Sequence, residues 1–257
     1  MLFCKIVAVD TGEMVLIRHG QTPFNINHIY SGRLMHIDLT PDGVCKSVEA
    51  GGRCAQYGFR PDEIHEAPPL RVIRTTDGVI EGAGWDPSIP RIQAPALIER
   101  CYGRFTGHQR PVAGSLPYNE YLKFHRNPYG RPPGGQNEYG TFDGESLLMC
   151  RERIAPYFRE ILLPQLLAGR NILAVLHGNS LRALTWEVDR LTDDQIEALE
   201  IPWAEPIGYR FHPNGSAKES FLIQGVMIES LDGSWWLGRL RGITNGPPIL
   251  RSKTEPL

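Results

Sequence analysis

Met14-Val15-Leu16-Ile17-Arg18-His19-Gly20 is a run of apolar residues that ends in a histidine and a glycine. The same design returns at Leu173-Ala174-Val175-Leu176-His177-Gly178-Asn179-Ser180. Uninterrupted apolar runs of this kind, each followed by a stretch able to begin a helix, read as buried parallel strands of an α/β sheet. Such strands deliver side chains to their C-terminal edge, where open α/β sheets bind ligands. Two histidines delivered in this way can face each other across one site. Histidine is suited to act there as a nucleophile or proton carrier near neutral pH.

Working outward, the pattern alternates strand and helix. Thr40-Pro41-Asp42-Gly43 opens a helix running to about Tyr57, with Thr40 as N-cap, Pro41 in the first turn, and Val44, Val48 and Cys54 on one face. A short strand near Asp62–Ala67, a helix from Leu70 to Gly82 with Val72, Ile73, Val79 and Ile80 apolar, and a strand at Arg91–Gln93 follow. Glu145 to Ala168 is the longest helical pattern, and Pro156 and Pro164 are expected to kink or divide it. A strand over Asn171–Leu176 and a helix over Asn179–Arg190 come next. Thr192-Asp193-Asp194-Gln195 is a capping box for a short helix through Leu199. Gly208–His212 and Ser220–Ile228 read as antiparallel edge strands. The expected fold is α/β, a three-layer sandwich with a mostly parallel sheet and a lid-like insertion.

The insertion is assigned to about residues 99–145, rich in Gly, Pro, Arg, Tyr and His, with one helix near Tyr118–Arg126. So many irregular residues in one stretch suggest a binding insertion over a rigid sheet, and the aromatic content argues for partial packing. The expected organisation is an N-terminal extension at 1–13, an α/β domain over 14–230 and a loosely ordered C-terminal tail at 231–257.

Composition narrows the partners. The 257 residues are 41% hydrophobic and 22% charged, ordinary values for a globular chain that buries a core without metal or disulfide staples. The net charge of -2 argues against nucleic-acid binding, so a phosphate-handling site has to be a local basic pocket. Cys4, Cys45, Cys54, Cys101 and Cys150 are odd in number and scattered, with no CxxC pair. They read as reduced thiols of a cytoplasmic protein, not as a disulfide frame or zinc site. No segment reaches the roughly 20 apolar residues needed to span a bilayer, so no membrane partner is expected.

A neutral imidazole is a competent nucleophile toward phosphorus when its other ring nitrogen is held and cations surround the phosphoryl oxygens. Arg18 adjoins His19 at the strand end, Gly20 lets backbone approach, and Arg71 opens a later helix with a guanidinium suited to phosphate oxygens. The helix after His177 offers free amides to an anion. Glu99, beside Arg100, can donate a proton to a leaving alkoxide. Arg110, His125 and Arg126 are further cations of the insertion, placed to take a substrate carboxylate or second phosphate.

These residues resemble the cofactor-dependent phosphoglycerate mutases of the histidine phosphatase superfamily, over about Met14 to Phe211. Arg18-His19-Gly20-Gln21-Thr22-Pro23-Phe24-Asn25 is similar to RHGxSxWN, with Phe for Trp. Tyr30-Ser31-Gly32 and Asp38-Leu39-Thr40-Pro41-Asp42-Gly43 are similar to FTG and DLSxxG. Glu99-Arg100-Cys101-Tyr102-Gly103 resembles ERxYG, and His177-Gly178-Asn179-Ser180-Leu181-Arg182-Ala183-Leu184 reads as HGNSLRAL. The resemblance implies that His19 is phosphorylated, that Arg18, Arg71 and His177 hold the phosphoryl group, and that Glu99 is the acid/base. It implies a substrate pocket of Thr22, Asn25, Ser31, Gly32, Arg100, Tyr102, Arg110, His125, Arg126, Gly178 and Asn179.

The implied reaction interconverts 3-phosphoglycerate and 2-phosphoglycerate, a step of glycolysis and gluconeogenesis. It is primed by 2,3-bisphosphoglycerate and uses no metal. A homodimer or homotetramer is left open. The chain departs from the pattern at Pro68-Pro69-Leu70-Arg71-Val72, which aligns Arg71 only through a one-residue deletion. It also has Arg110 in place of a Lys, His125-Arg126 in place of an Arg pair, and a shorter insertion. The phosphoryl-transfer core is kept while the recognition shell is altered. A phosphatase of the same fold acting on another small phosphoester is therefore the alternative, and a non-catalytic phosphoester-binding protein ranks below both because His19, His177 and Glu99 are all present.

Overall fold

The computed structural model describes residues 10–111, 118–224 and 227–231. Its strands are β1 (Met14–Arg18), β2 (Glu63–Glu66), β3 (Arg91–Gln93), β4 (Gly135–Asn137), β5 (Gly140–Phe142), β6 (Ile172–Leu176), β7 (Pro206–Phe211), β8 (Ala217–Gln224) and β9 (Met227–Leu231). Its α-helices are α1 (Pro23–Ile26), α2 (Pro41–Tyr57), α3 (Leu70–Ala83), α4 (Tyr118–Phe124), α5 (Leu147–Tyr157), α6 (Leu163–Leu167), α7 (Gly178–Asp189) and α8 (Asp193–Ala198).

The main sheet runs β3-β2-β6-β1-β7-β8-β9. The first four strands of that order are mutually parallel, and β7, β8 and β9 add antiparallel. The expected α/β sandwich is the observed one, with helices on both faces. Helices α2 and α3 pack on each other, as do α5 and α7. Every residue of β6, and Met14 to Ile17 of β1, is fully buried, which is why these segments read as unbroken apolar runs. The strands expected at the sheet edge are interior: β7 lies between β1 and β8, and β9 forms the edge. The stretch read as one strand to Ile228 ends at Gln224, and β9 returns antiparallel from Met227.

Thr40 caps α2 as expected, accepting from the Gly43 amide at 3.0 Å, but the buried face of that helix is not the apolar one. Gly43, Ser47, Ala50, Gly51 and Cys54 are buried, and Val44 is 40% exposed. The reason lies in the α2–α3 crossing. A Cβ at Gly51 would lie 2.1 Å from the Val79 carbonyl oxygen, and one at Gly82 would lie 1.8 Å from that of Val48. Backbones this close select small residues over large apolar ones.

The long helical pattern is divided as its prolines imply. α5 contains Pro156, a π-helical turn covers Phe158–Leu162, and Pro164 falls in the first turn of α6. Of the stretch assigned as an extension, residues 1–9 lie outside the described residues, whereas 11–13 are tied to the fold. The Thr11 hydroxyl donates to the Phe211 carbonyl, the Gly12 amide to that of Leu166, and the Glu13 carboxylate accepts from Tyr57 and Arg210. Most of the proposed tail, 232–257, also lies outside the described residues.

The insertion carries its own small core. Tyr30, Phe105, Tyr121 and Phe124 are buried together, with Tyr102 and Tyr118 packed against them, and β4 and β5 form a hairpin beside it. Among the described residues, no helix is long and apolar enough to cross a membrane.

Candidate active site

Strand register places the two histidines. Arg18 pairs with Leu176 across β1 and β6, so the next residues, His19 and His177, leave the sheet edge side by side. The His19 amide extends the ladder by donating to the Leu176 carbonyl at 2.9 Å. The two rings meet edge to face, with centroids 5.1 Å apart.

His19 is 3% exposed, and its Nδ1 is 2.7 Å from the Gly20 carbonyl oxygen. A carbonyl can only accept, so Nδ1 carries the proton and Nε2 keeps its lone pair. Burial, then the charges of Arg71 and Arg18, push the His19 pKa well below 6.5 and keep the ring neutral. His177 is fully buried and shifted the same way, by burial first and then by Arg71, His19 and Arg18. It occupies the N-cap of α7 without capping it, and neither ring nitrogen finds a partner among the described residues.

The guanidiniums of Arg18 and Arg71 flank the pair. Arg18 donates through Nη1 to the Ile201 carbonyl at 2.6 Å, and Arg71 donates to the Leu34 and Gly32 carbonyls at 2.6 and 2.8 Å. Each leaves a buried Nε without an acceptor among the described residues. Burial lowers both pKa values to about 10, and the nearby Glu99 charge opposes that shift. Both stay charged at neutral pH. Glu99 is 8% exposed and accepts from the Arg100 amide at 2.7 Å.

These groups open into a cavity of about 150 Å³, lined by six arginines: Arg18, Arg71, Arg100, Arg110, Arg126 and Arg182. The N-terminus of α7 reaches it through Gly178 and Asn179. A Cβ at Gly178 would lie 3.1 Å from the Arg18 guanidinium, so glycine lets that charge lie against the helix start. Buried N–H donors without acceptors, cationic side chains and free helix amides around one small volume are the physical description of an anion site.

The Histidine phosphatase superfamily (branch 1) profile matches residues 14–221. The chain belongs to the histidine phosphatase superfamily. It is 33% identical over 206 residues to a 2,3-bisphosphoglycerate-dependent phosphoglycerate mutase of Rhizobium rhizogenes, covering 80% of this chain and 93% of that protein. It is 34% identical over 200 residues to the enzyme of the same description in Sinorhizobium fredii, covering 78% and 90%. Among solved structures, a mycobacterial glucosyl-3-phosphoglycerate phosphatase superposes with a TM-score of 0.65 at 22% identity, over 82% of this chain and 97% of that one. The alpha-ribazole phosphatase of Shigella flexneri gives 0.63 at 19% identity, over 80% and 93%. These two likenesses are of fold.

As a histidine phosphatase superfamily site, the cleft brings together nearly all the residues singled out in the sequence. His19, Asn25, Ser31, Gly32, Arg71, Glu99, Tyr102, Arg110, His125, Arg126, Gly178 and Asn179 line it with Arg18, and His177 is buried beside His19. Three readings change. Thr22 is fully buried and does not line the cavity; its hydroxyl serves the capping box of α1 with Asn25. Arg100 lines the cleft but spends Nε on the Glu145 carbonyl and Nη2 on those of Gly130 and Phe124, so it anchors the insertion.

His125 is not a cation. Burial and the charges of Arg126, Arg110, Arg182 and Arg100 lower its pKa to about 4, and the neutral ring stacks on Tyr121 at 4.3 Å.

Arg182 is the cation that the sequence reading passed over. It lies one helical turn after Asn179 and donates to its Oδ1 at 2.9 Å, while the Asn179 amide donates to the Tyr102 hydroxyl at 2.5 Å. The i,i+3 spacing on α7 was the available signal. Glu200 and Ile201 also line the cleft, and Glu200 pairs with Arg126. Among the described residues, no group of His, Cys, Asp and Glu side chains is placed to hold a metal ion.

Proposed function

We propose that this histidine phosphatase superfamily enzyme is a phosphoglycerate mutase, interconverting 3-phosphoglycerate and 2-phosphoglycerate through a phosphohistidine on His19. The observation that carries this reading is the double set of cations in one cleft. Arg18 and Arg71 stand at His19, and Arg110, Arg126 and Arg182 line the same cavity from the insertion and α7. A phosphoglycerate bears a phosphate and a carboxylate, and two basic clusters suit two anionic groups on one small molecule.

His19 Nε2 attacks phosphorus while Nδ1–H stays on the Gly20 carbonyl. Arg18, Arg71 and the amides at the start of α7 take the charge of the phosphoryl oxygens. His177, neutral and with both nitrogens unpartnered among the described residues, can donate to one of those oxygens. Glu99 gives its proton to the departing alkoxide and takes one from the hydroxyl that attacks in the reverse step. Arg18, Arg71, Arg110, Arg126 and Arg182 would hold 2,3-bisphosphoglycerate, which when bound would supply the phosphoryl group for His19.

The departures in the recognition shell keep a second reading in view, a phosphatase acting on another small phosphoester. The two differ in whether water or a substrate hydroxyl receives the phosphoryl group. The experiment incubates the purified chain with 3-phosphoglycerate, with and without 2,3-bisphosphoglycerate, and follows 2-phosphoglycerate and free phosphate. Bisphosphoglycerate-stimulated 2-phosphoglycerate, absent in His19→Ala, is the expected result. Free phosphate without 2-phosphoglycerate overturns the mutase.

A further inference from the structure

A second, larger chamber of about 520 Å³ adjoins the catalytic cleft. The two share Arg18, Asn25, Arg110, Glu200 and Ile201 on their walls, so a ligand held at His19 can extend from one into the other. The volume falls within the roughly 300–1,000 Å³ of small-molecule sites. Glycerate has no use for it.

The far wall is built with care. It is the strap between α8 and β7, closed by Trp203 and by Ala204, a non-glycine residue held at φ 51°. Arg18 holds the strap twice: its Nη1 donates to the Ile201 carbonyl, and its own carbonyl accepts from the Ala204 amide at 2.9 Å. Arg53 of α2 donates to the Ala204 carbonyl at 2.8 Å and pairs with Glu205 at 3.5 Å. A left-handed alanine persists only where its surroundings impose it.

The chemistry of this wall differs from that of the catalytic cleft. Besides the Arg18 Nε, which faces the anion site, two N–H donors of this wall are buried without an acceptor among the described residues: Nε of Arg53 and Nε1 of Trp203. Three carboxylates, Glu49, Glu200 and Glu205, stand among its cations, and the Arg18 guanidinium lies over the Trp203 ring. Four cationic side chains against three carboxylates, beside an indole, suit a group that both gives and takes hydrogen bonds and carries no charge, which is a chain or ring of hydroxyls. The arginine-rich cleft takes the phosphate.

We propose that the second chamber is a leaving-group subsite for a polyhydroxylated moiety, through which the site also hydrolyses phosphoesters of polyols and sugars larger than glycerate. The inference rests on the phosphohistidine chemistry of His19 and not on the mutase. His19 Nε2 forms the N–P bond as the ester P–O bond breaks, and Glu99 protonates the departing polyol oxygen. Water then attacks phosphorus, gives its proton to Glu99, and releases inorganic phosphate and free His19.

The test compares sorbitol 6-phosphate with glycerol 3-phosphate as substrates of the full chain, reading phosphate release. A filled subsite predicts a kcat/KM about tenfold higher for the longer ester. Glu49→Trp, at an exposed position of α2 on the chamber rim, places an indole in that space without touching the catalytic cleft. It is expected to erase the advantage of sorbitol 6-phosphate while leaving turnover of glycerol 3-phosphate and 3-phosphoglycerate intact. Equal kcat/KM for the two esters, or an advantage that survives Glu49→Trp, overturns the subsite and leaves the mutase reading standing. A preference for sorbitol 6-phosphate that Glu49→Trp erases, without formation of 2-phosphoglycerate from 3-phosphoglycerate, supports the subsite and overturns the mutase. Hydrolysis that persists in His19→Ala overturns the proposed route.

Discussion

The Gly20 amide donates to the Thr75 hydroxyl at 2.9 Å, and Thr75 in turn donates to the Arg71 carbonyl at 2.7 Å. The residue so anchored, Gly20, is the one whose carbonyl holds His19 Nδ1. Thr75 is therefore a positioning residue for the nucleophile, acting from α3 through the backbone of Gly20. Thr75→Val leaves a buried amide without its acceptor, at a cost of about 1–3 kcal/mol, and frees the imidazole to rotate. Its kcat is expected to fall about tenfold, with KM little changed, and Thr75→Ser is expected to restore it. Equal kcat in Val and Ser variants would show that the hydroxyl does not orient His19.

His125 is expected to behave as a neutral side chain. With its pKa near 4, His125→Gln preserves the charge of the cleft and leaves KM for 3-phosphoglycerate within about twofold. Arg110→Ala removes a charged partner of the anion and is expected to raise KM about tenfold or more. A KM rise in His125→Gln as large as that in Arg110→Ala would restore His125 as a cation.

Stability is expected to fall on acidification. His19 and His177 have native pKa values well below 6.5, and that of His125 is about 4, so each binds its proton more readily in the unfolded chain. Their contribution is fully present above about pH 6.5 and is lost as pH falls below it, at up to about 1.4 kcal/mol per pH unit for each histidine. Urea midpoints measured from pH 7.5 to 5 should drop steadily below pH 6.5. A His177→Asn variant should lose stability with a shallower slope, and an unchanged slope counts against the neutral buried imidazole.

The α2–α3 crossing gives two packing predictions of very different size. Gly51→Ala drives a methyl group against the Val79 carbonyl and is expected to destabilise by about 3 kcal/mol or more. Val44→Ser, at a 40% exposed position, should change stability by less than about 0.5 kcal/mol. Chemical denaturation of the two variants separates backbone contact from apolar burial as the basis of this interface.

Local signals in the sequence marked most elements of the main sheet and its helices, and the residues that the fold gathers at the cleft. Apolar runs ending in His-Gly mark β1 and β6 because these two strands are buried on both faces. Thr40-Pro41 and the capping box at Thr192 mark helix starts because free amides need acceptors close in sequence. Tertiary structure alone decided what depends on neighbours distant in the chain. It set the β1–β6 register that places His19 beside His177, and it chose the small face of α2 over the apolar one because α3 approaches too closely for side chains. It turned His125 neutral by burying it and gathering four arginines around it, and it committed Thr22 and Arg100 to holding backbone. It also opened a second chamber whose walls come from α2 and from the strap after α8, segments about 150 residues apart. Charge state, register and cavity shape are sums over groups brought together by folding, so no window of sequence contains them.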